Sequence, residues 1–282
     1  MLGRGRLTHQ RRVPVVDLPG ASIAYDVVGE GEPVLLLAGC GEPAAAWGLT
    51  TPALTAAGYQ VVTLDNRGVA PSSAPPAPYS IDQMVADALG VLDHLGLGAV
   101  RVVGNSMGGW IAETMAVTHP ERVVAAAFIA SCNESTAWER ASLELARDLA
   151  RLDVDLPRRV DAVDTLHYLT PSDLQRDEVV QGWLSILDDI DPWRNPGRLG
   201  QLEACCAWAA DPGRTARWAA LRAPVLVVAF ELDIDSPPDR ARAAAAQIPG
   251  ARVVEIAGAG HLGVVTHTEQ VNGQLLAFFA RR

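Results

Sequence analysis

The chain carries a series of short, continuous apolar runs: Pro33–Ala38 (PVLLLA), Tyr59–Leu64 (YQVVTL), Ala99–Gly104 (AVRVVG), Val123–Ala130, Pro224–Phe230 (PVLVVAF) and Arg252–Ala257 (RVVEIA). A strand with one face in water alternates apolar and polar residues, whereas a strand covered on both faces does not. These runs therefore predict the strands of a sheet packed between two layers. Ser22–Val27 reads as an earlier strand. Between the runs, Ile81–Leu95 places Met84, Val85, Ala88, Leu89, Leu92 and Leu95 at helical spacing. A last helix is expected from about Glu269 to Ala280. Alternation of this kind predicts an α/β fold, a mostly parallel sheet with helices on both faces.

The stretch from Glu134 to about Arg217 breaks the pattern. It has no long strand, several acidic and Arg-rich helical segments, and punctuation at Pro157, Pro171, Pro192, Pro196 and Pro212. We read it as a helical insertion, residues 134–217, dividing an α/β core into residues 1–133 and 218–282, with 1–12 a loose basic tail. Pro71–Pro78 (PSSAPPAP) is expected to be a rigid surface turn. A length of 282 residues suits one α/β unit with such an insertion.

Composition narrows the function. With 49% hydrophobic and 20% charged residues the chain can build a core, which excludes general disorder. The 23 basic residues, all arginine, face 33 acidic ones for a net charge of −10, the reverse of a nucleic-acid binder's balance. No apolar run reaches the ~18 residues needed to cross a bilayer. The basic start, Met1 to Arg12, is followed by no signal-like apolar core. A cytoplasmic protein with neither nucleic acid nor membrane as partner is expected. Cys40, Cys132, Cys205 and Cys206 show neither metal-ligand spacing nor a secreted framework, so reduced thiols are expected.

After the strand Ala99–Gly104 comes Asn105-Ser106-Met107-Gly108-Gly109, with a helix expected from near Trp110. This is G-x-S-x-G between a strand and a helix, the context that gives the pattern its meaning. Glycines are needed there because the turn is tight and neighbouring backbone comes close. The turn holds the Ser106 hydroxyl clear of the sheet at a helix N-terminus, where the dipole favours developing negative charge. The alternative is an ordinary serine N-cap, which would not require three flanking glycines.

A serine hydroxyl is a weak nucleophile and needs a base. Of the six histidines, His9 lies in the tail, His94 and His119 late in helices, His167 in the insertion and His267 at the start of the last helix. His261, in Gly258-Ala259-Gly260-His261-Leu262, follows a strand, where open α/β sheets keep their sites. The acid that orients it is sought in Glu231-Leu232-Asp233-Ile234-Asp235, after Pro224–Phe230. Glu231, Asp233 and Asp235 are candidates, and each also suits an acidic turn or a helix N-terminus.

On these residues the chain resembles the α/β-hydrolase superfamily, from about Val15 onward, with the insertion in the position of a cap. The resemblance implies an α/β-hydrolase fold with a helical cap, Ser106 as nucleophile, His261 as base and Asp233 as acid. Asp65-Asn66-Arg67-Gly68 resembles the family's D-x-R-G turn, and Ala38-Gly39-Cys40-Gly41 its His-Gly turn, with Ala38 in place of His. Phe230 replaces a usual glycine before the acid, and Ile234 a frequent proline after it. The backbone N–H groups of Cys40 and Met107 are implied as the oxyanion hole. The elbow looks like that of meta-cleavage-product C–C hydrolases, and the final Gly-His-Leu is closer to enol-lactonases and small carboxylesterases.

Five tryptophans, Trp138, Trp183, Trp193, Trp208 and Trp218, fall in or beside the insertion, and Trp110 follows the elbow. They suit a small core for the insertion. Trp110, Trp138, Trp183 and Trp208 are also expected to present aromatic surface to a cleft. Asp188, Asp189 and Asp191 look like a solvated face, and no metal or other cofactor is expected. The expected activity is hydrolysis of an ester, lactone or thioester of a bulky apolar or aromatic acyl compound. The alternatives are C–C hydrolysis, or cyclisation or dehydration in natural-product assembly, by the same triad. A further alternative is a ligand-binding protein with a vestigial triad.

Overall fold

The computed structural model describes residues 13–152, 165–190 and 196–280. The tail 1–12 with His9, Trp193 and Asp191, and the side chains of Asp188 and Asp189, lie outside the described residues.

The strands are β1 (Val15–Leu18), β2 (Ala21–Val28), β3 (Glu32–Leu37), β4 (Tyr59–Leu64), β5 (Val100–Asn105), β6 (Val123–Ile129), β7 (Val225–Phe230) and β8 (Arg252–Ile256). They form one sheet in the order β1-β2-β4-β3-β5-β6-β7-β8. β1 and β2 pair antiparallel, as do β2 and β4, and every pairing from β4 to β8 is parallel. Every apolar run expected to be a strand is one, to within a residue or two at its ends. β1 carried no signal: four residues allow two alternations, and Val16 is the one buried residue among them.

The helices are α1 (Thr50–Ala56), α2 (Ile81–His94), α3 (Met107–Thr118), α4 (Ala137–Arg151), α5 (Pro171–Leu174), α6 (Asp177–Ile190), α7 (Arg198–Ala210), α8 (Pro238–Ala245), α9 (Gly263–Thr266) and α10 (Thr268–Phe279). The continuous apolar runs have a simple cause. In β3, Leu35 and Leu37 join the core under α2 and α3, while Val34 and Leu36 join the core under α1 and α10. β5 and β7 divide their residues between the two cores in the same way. Both faces of these central strands are covered, so their buried positions are filled mainly by apolar side chains.

Helix α3 starts at Met107, ahead of the onset expected near Trp110, because the chain enters the helix straight from the elbow with no intervening loop. Between β6 and β7 the described residues form α4 to α7 and a 3₁₀ stretch, Thr215–Ala220. α4 packs on α7, and Arg151 pairs with Glu203 across them at 3.0 Å. α7 then descends onto the sheet end. Its Gln201, fully buried, accepts the N–H of Gly41 at 2.7 Å and donates to the carbonyl of Arg67 at 2.8 Å.

The turn after β4 is held from below. Arg67 donates two hydrogen bonds to Asp87 of α2, at 2.7 and 2.8 Å, with both side chains almost wholly buried. Removing one partner of such a pair leaves an uncompensated buried charge. Asp87→Asn is therefore expected to cost about 3–5 kcal/mol of folding free energy, read as a lower midpoint in urea denaturation with an unchanged slope.

Candidate active site

The elbow joins β5 to α3 at Ser106, whose φ of 52° and ψ of −123° are strained for a residue with a Cβ. The flanking glycines are required by close approach. A Cβ on Gly104 would lie 2.0 Å from the carbonyl oxygen of Gly108, and one on Gly108 would lie 2.1 Å from that of Leu37. The first turn of α3 thus rests directly on the end of β3. Ser106 stands at the N-cap position, but its side chain makes no capping bond. Its hydroxyl instead lies 3.1 Å from Nε2 of His261.

His261 follows β8, and its Nδ1 lies 2.8 Å from Oδ2 of Asp233. The other oxygen of Asp233 accepts the N–H groups of Asp235 and Ser236, both at 2.9 Å. Asp233 is therefore a buried carboxylate with both oxygens engaged. Of the three acidic candidates it is the one bonded to the imidazole. Glu231 accepts the N–H of Gly258 at 2.7 Å, bracing the histidine loop from outside. Asp235 accepts the indole N–H of Trp138 at 2.8 Å. Burial opposes a charged His261. The charge and hydrogen bond of Asp233, helped by the charges of Asp235 and Glu42, outweigh it and push the imidazole up to about 9.

Met107 contributes the first N–H of α3, which has no carbonyl four residues back within the helix to bond. Cys40 sits on the loop after β3, the loop that α3 abuts. That loop is heavily braced. Gly39 donates to Glu42 at 2.8 Å, Ala44 donates to Asp65 at 2.7 Å, Asn66 donates to the carbonyl of Ala38 at 3.3 Å, and Gln201 holds Gly41. Burial pushes the Glu42 carboxyl up, against the Gly39 N–H and the charge of His261. Cys40, Cys132, Cys205 and Cys206 are in no disulfide.

The tryptophans divide. Trp110 and Trp208 stack at 6.3 Å within the core, 4% and 7% exposed, and Trp110 donates its indole N–H to the carbonyl of Ser131. Trp183 is partly buried on α6, and none of the described ring contacts ties it to His261. Trp138, on α4, begins a series of ring contacts that ends at the histidine: Trp138 to His167 at 6.2 Å, His167 to Tyr168 at 3.9 Å, and Tyr168 to His261 at 5.0 Å. Sequence reasoning missed Tyr168, and no local pattern marks it. It also missed Glu42 and Gln201, which are connected to the site through groups distant in sequence, and Ser236, whose N–H binds Asp233 three residues before it.

Among the described residues, the grouping with metal-ligand character is Asp233, Asp235 and His261, with ligand atoms within 4.8 Å of one another. Nδ1 of His261 and both oxygens of Asp233 are already engaged within the protein, so the cluster has the character of a hydrogen-bonded acid–base group. No helix among the described residues is long and apolar enough to cross a membrane.

A family model described as alpha/beta hydrolase fold matches residues 32–268. The Mycobacterium tuberculosis protein that bears the name non-heme bromoperoxidase BpoC is 33% identical over 261 residues, covering 92% of this chain and 98% of its own. Its crystal structure has a TM-score of 0.85 at 32% identity, covering 96% of this chain and 98% of that one. The rhodomycin D methylesterase DnrP of Streptomyces peucetius is 30% identical over 251 residues, 81% of this chain and 84% of that protein. The enol-lactonase of Burkholderia xenovorans, at 24% identity and a TM-score of 0.79 over 95% of this chain and 100% of that one, shares the fold.

Proposed function

The chain belongs to the alpha/beta hydrolase family, and from that premise we propose that it is a serine hydrolase, independent of any cofactor, that cleaves an ester, lactone or thioester of a bulky apolar or aromatic acyl compound. The observation that carries the proposal is the unbroken contact series from Ser106 Oγ to His261 Nε2 at 3.1 Å, and from His261 Nδ1 to Asp233 Oδ2 at 2.8 Å.

In this reading Ser106 Oγ attacks the substrate carbonyl while His261 Nε2 takes its proton. Asp233 fixes the tautomer and stabilises the imidazolium. The backbone N–H groups of Cys40 and Met107 receive the oxyanion, and the bracing of the Cys40 loop by Glu42, Asn66 and Gln201 keeps that donor in place before charge develops. His261 then protonates the leaving group. A water that loses its proton to His261 cleaves the acyl-enzyme and restores Ser106.

The helices between β6 and β7 act as the cap, and the rings of Trp138, His167 and Tyr168 give its aromatic side next to His261. A relative named as a methylesterase supports an ester over a C–C bond as the scissile group.

Two assays test the proposal. A fluorophosphonate probe is expected to label the wild type and to miss Ser106→Ala. Steady-state turnover is expected to be faster on p-nitrophenyl esters of aromatic acids than on a β-diketone. Equal labelling of the two proteins would defeat the serine assignment, and preference for the diketone would reassign the triad to C–C hydrolysis. Ligand-induced stabilisation with no turnover of either would point to a binding protein.

A further inference from the structure

His261 has a second carboxylate within reach. Asp235 lies two residues beyond Asp233, in the same loop after β7, and is 7% exposed. An oxygen of Asp235, an oxygen of Asp233 and a ring nitrogen of His261 all lie within 4.8 Å of one another. The Asp235 side chain is held from the other side: its Oδ1 accepts the indole N–H of Trp138, the second residue of α4. Its Oδ2 is shielded from solvent and has no hydrogen-bond partner among the described residues, with His167 Nε2 3.8 Å away. A carboxylate oxygen buried without a donor is costly, and the cost falls when positive charge forms beside it.

We propose that Asp235 is a positioning residue for His261: a second carboxylate, pinned by Trp138, whose charge stabilises the imidazolium formed when His261 takes the Ser106 proton. The proposal rests on the Ser106–His261–Asp233 reading above. It explains why an acid is kept out of water with one oxygen unsatisfied. The charge it favours is present in the transition state of acylation, and stabilisation of that kind raises the rate.

Other groups face the imidazole. Asp233 shares the loop with Asp235, Glu42 comes from the loop after β3, and Ser106 from the start of α3. Tyr168 comes from the turn ahead of α5, with His167 beside it against Asp235, and Glu139 of α4 lies farther off, opposed by the Arg214 guanidinium. Glu42 and Asp233 act on His261 in the same direction as Asp235, so the test varies Asp235 alone.

The sign follows from the chemistry. His261 accepts a proton only when neutral, so kcat/KM on an ester rises with pH through its titration. Removing the charge of Asp235 makes the imidazole a weaker base. In Asp235→Asn the acid limb is expected to move down by about one pH unit. The variant should be slower than wild type on the alkaline plateau and relatively faster at acid pH, so that the two normalised profiles separate. Asp235→Glu keeps the charge and is expected to keep the wild-type midpoint.

The midpoint does not depend on how much of the protein is active, so partial loss of folded enzyme does not obscure it. A wild-type midpoint in Asp235→Asn, or a shift in Asp235→Glu as large as in Asp235→Asn, would overturn the proposal. Titration with the serine probe separates the two levels. A wild type that takes no label removes the underlying triad, whereas normal labelling with an unmoved midpoint removes Asp235 alone.

Discussion

Ser106→Ala is expected to lower kcat for ester hydrolysis by about 10⁴–10⁶-fold while leaving the protein folded. The magnitude follows from the loss of the attacking atom. Without Oγ, His261 has no hydroxyl to deprotonate, and what survives is the rate that oxyanion donors and binding lend to direct attack by water. The fold should tolerate the change for a reason visible at the elbow. Alanine keeps the Cβ, so the φ of 52° is as strained as before, and the Ser106 side chain makes no capping bond for α3 to lose. The check is steady-state kinetics beside a thermal melt. A melt close to wild type with activity retained within about tenfold would remove Ser106 from the chemistry, since that is far below the loss of a nucleophile.

Asp233→Asn is expected to cost about 10⁴-fold in kcat. Asparagine retains an oxygen to accept the N–H groups of Asp235 and Ser236, so the loop keeps its shape. An amide NH₂ then stands where Oδ2 faced His261 Nδ1. It donates where the imidazole needs an acceptor, which favours the tautomer with the proton on Nε2. That nitrogen then presents a donor to Ser106 and takes no proton from it. The loss should persist at high pH, because it comes from the tautomer and not from titration. A kcat within tenfold of wild type would show that another carboxylate can orient the ring, and Asp235 is the group placed to do so.

The parts of this architecture that were legible in advance are those whose cause is local or periodic. The strands β3 to β8 announced themselves because a sheet covered on both faces demands unbroken apolar runs. The elbow was legible because strain and close approach at Ser106 require glycines at fixed offsets. The choice of Asp233 among Glu231, Asp233 and Asp235 came from resemblance, and its bond to His261 depends on the way the loop after β7 turns. β1 was too short to show a period. The helix onset at Met107 was masked by the glycines of the elbow, which are poor helix formers held there by packing.

Other features had no local signature. Trp138 bonds Asp235 across a separation of 97 residues, and Gln201 bonds Gly41 across 160. Trp110 and Trp208, expected to face a cleft, stack on each other in the core, since burial of two indoles beside the sheet competes with presenting them to substrate.

The amino-acid order alone determined which backbone segments would be buried on two sides, where the chain must turn sharply, and which hydroxyl, imidazole and carboxylate side chains stand at those turns. Only the tertiary structure decided that Ser106 and His261, 155 positions apart, meet at 3.1 Å, and that Asp235 joins them under Trp138. The physical reason is that parallel strands about 4.8 Å apart bring their C-terminal ends to one edge. Which loop atoms touch there depends on how the cores on both faces of the sheet are packed, and no window of sequence contains that information.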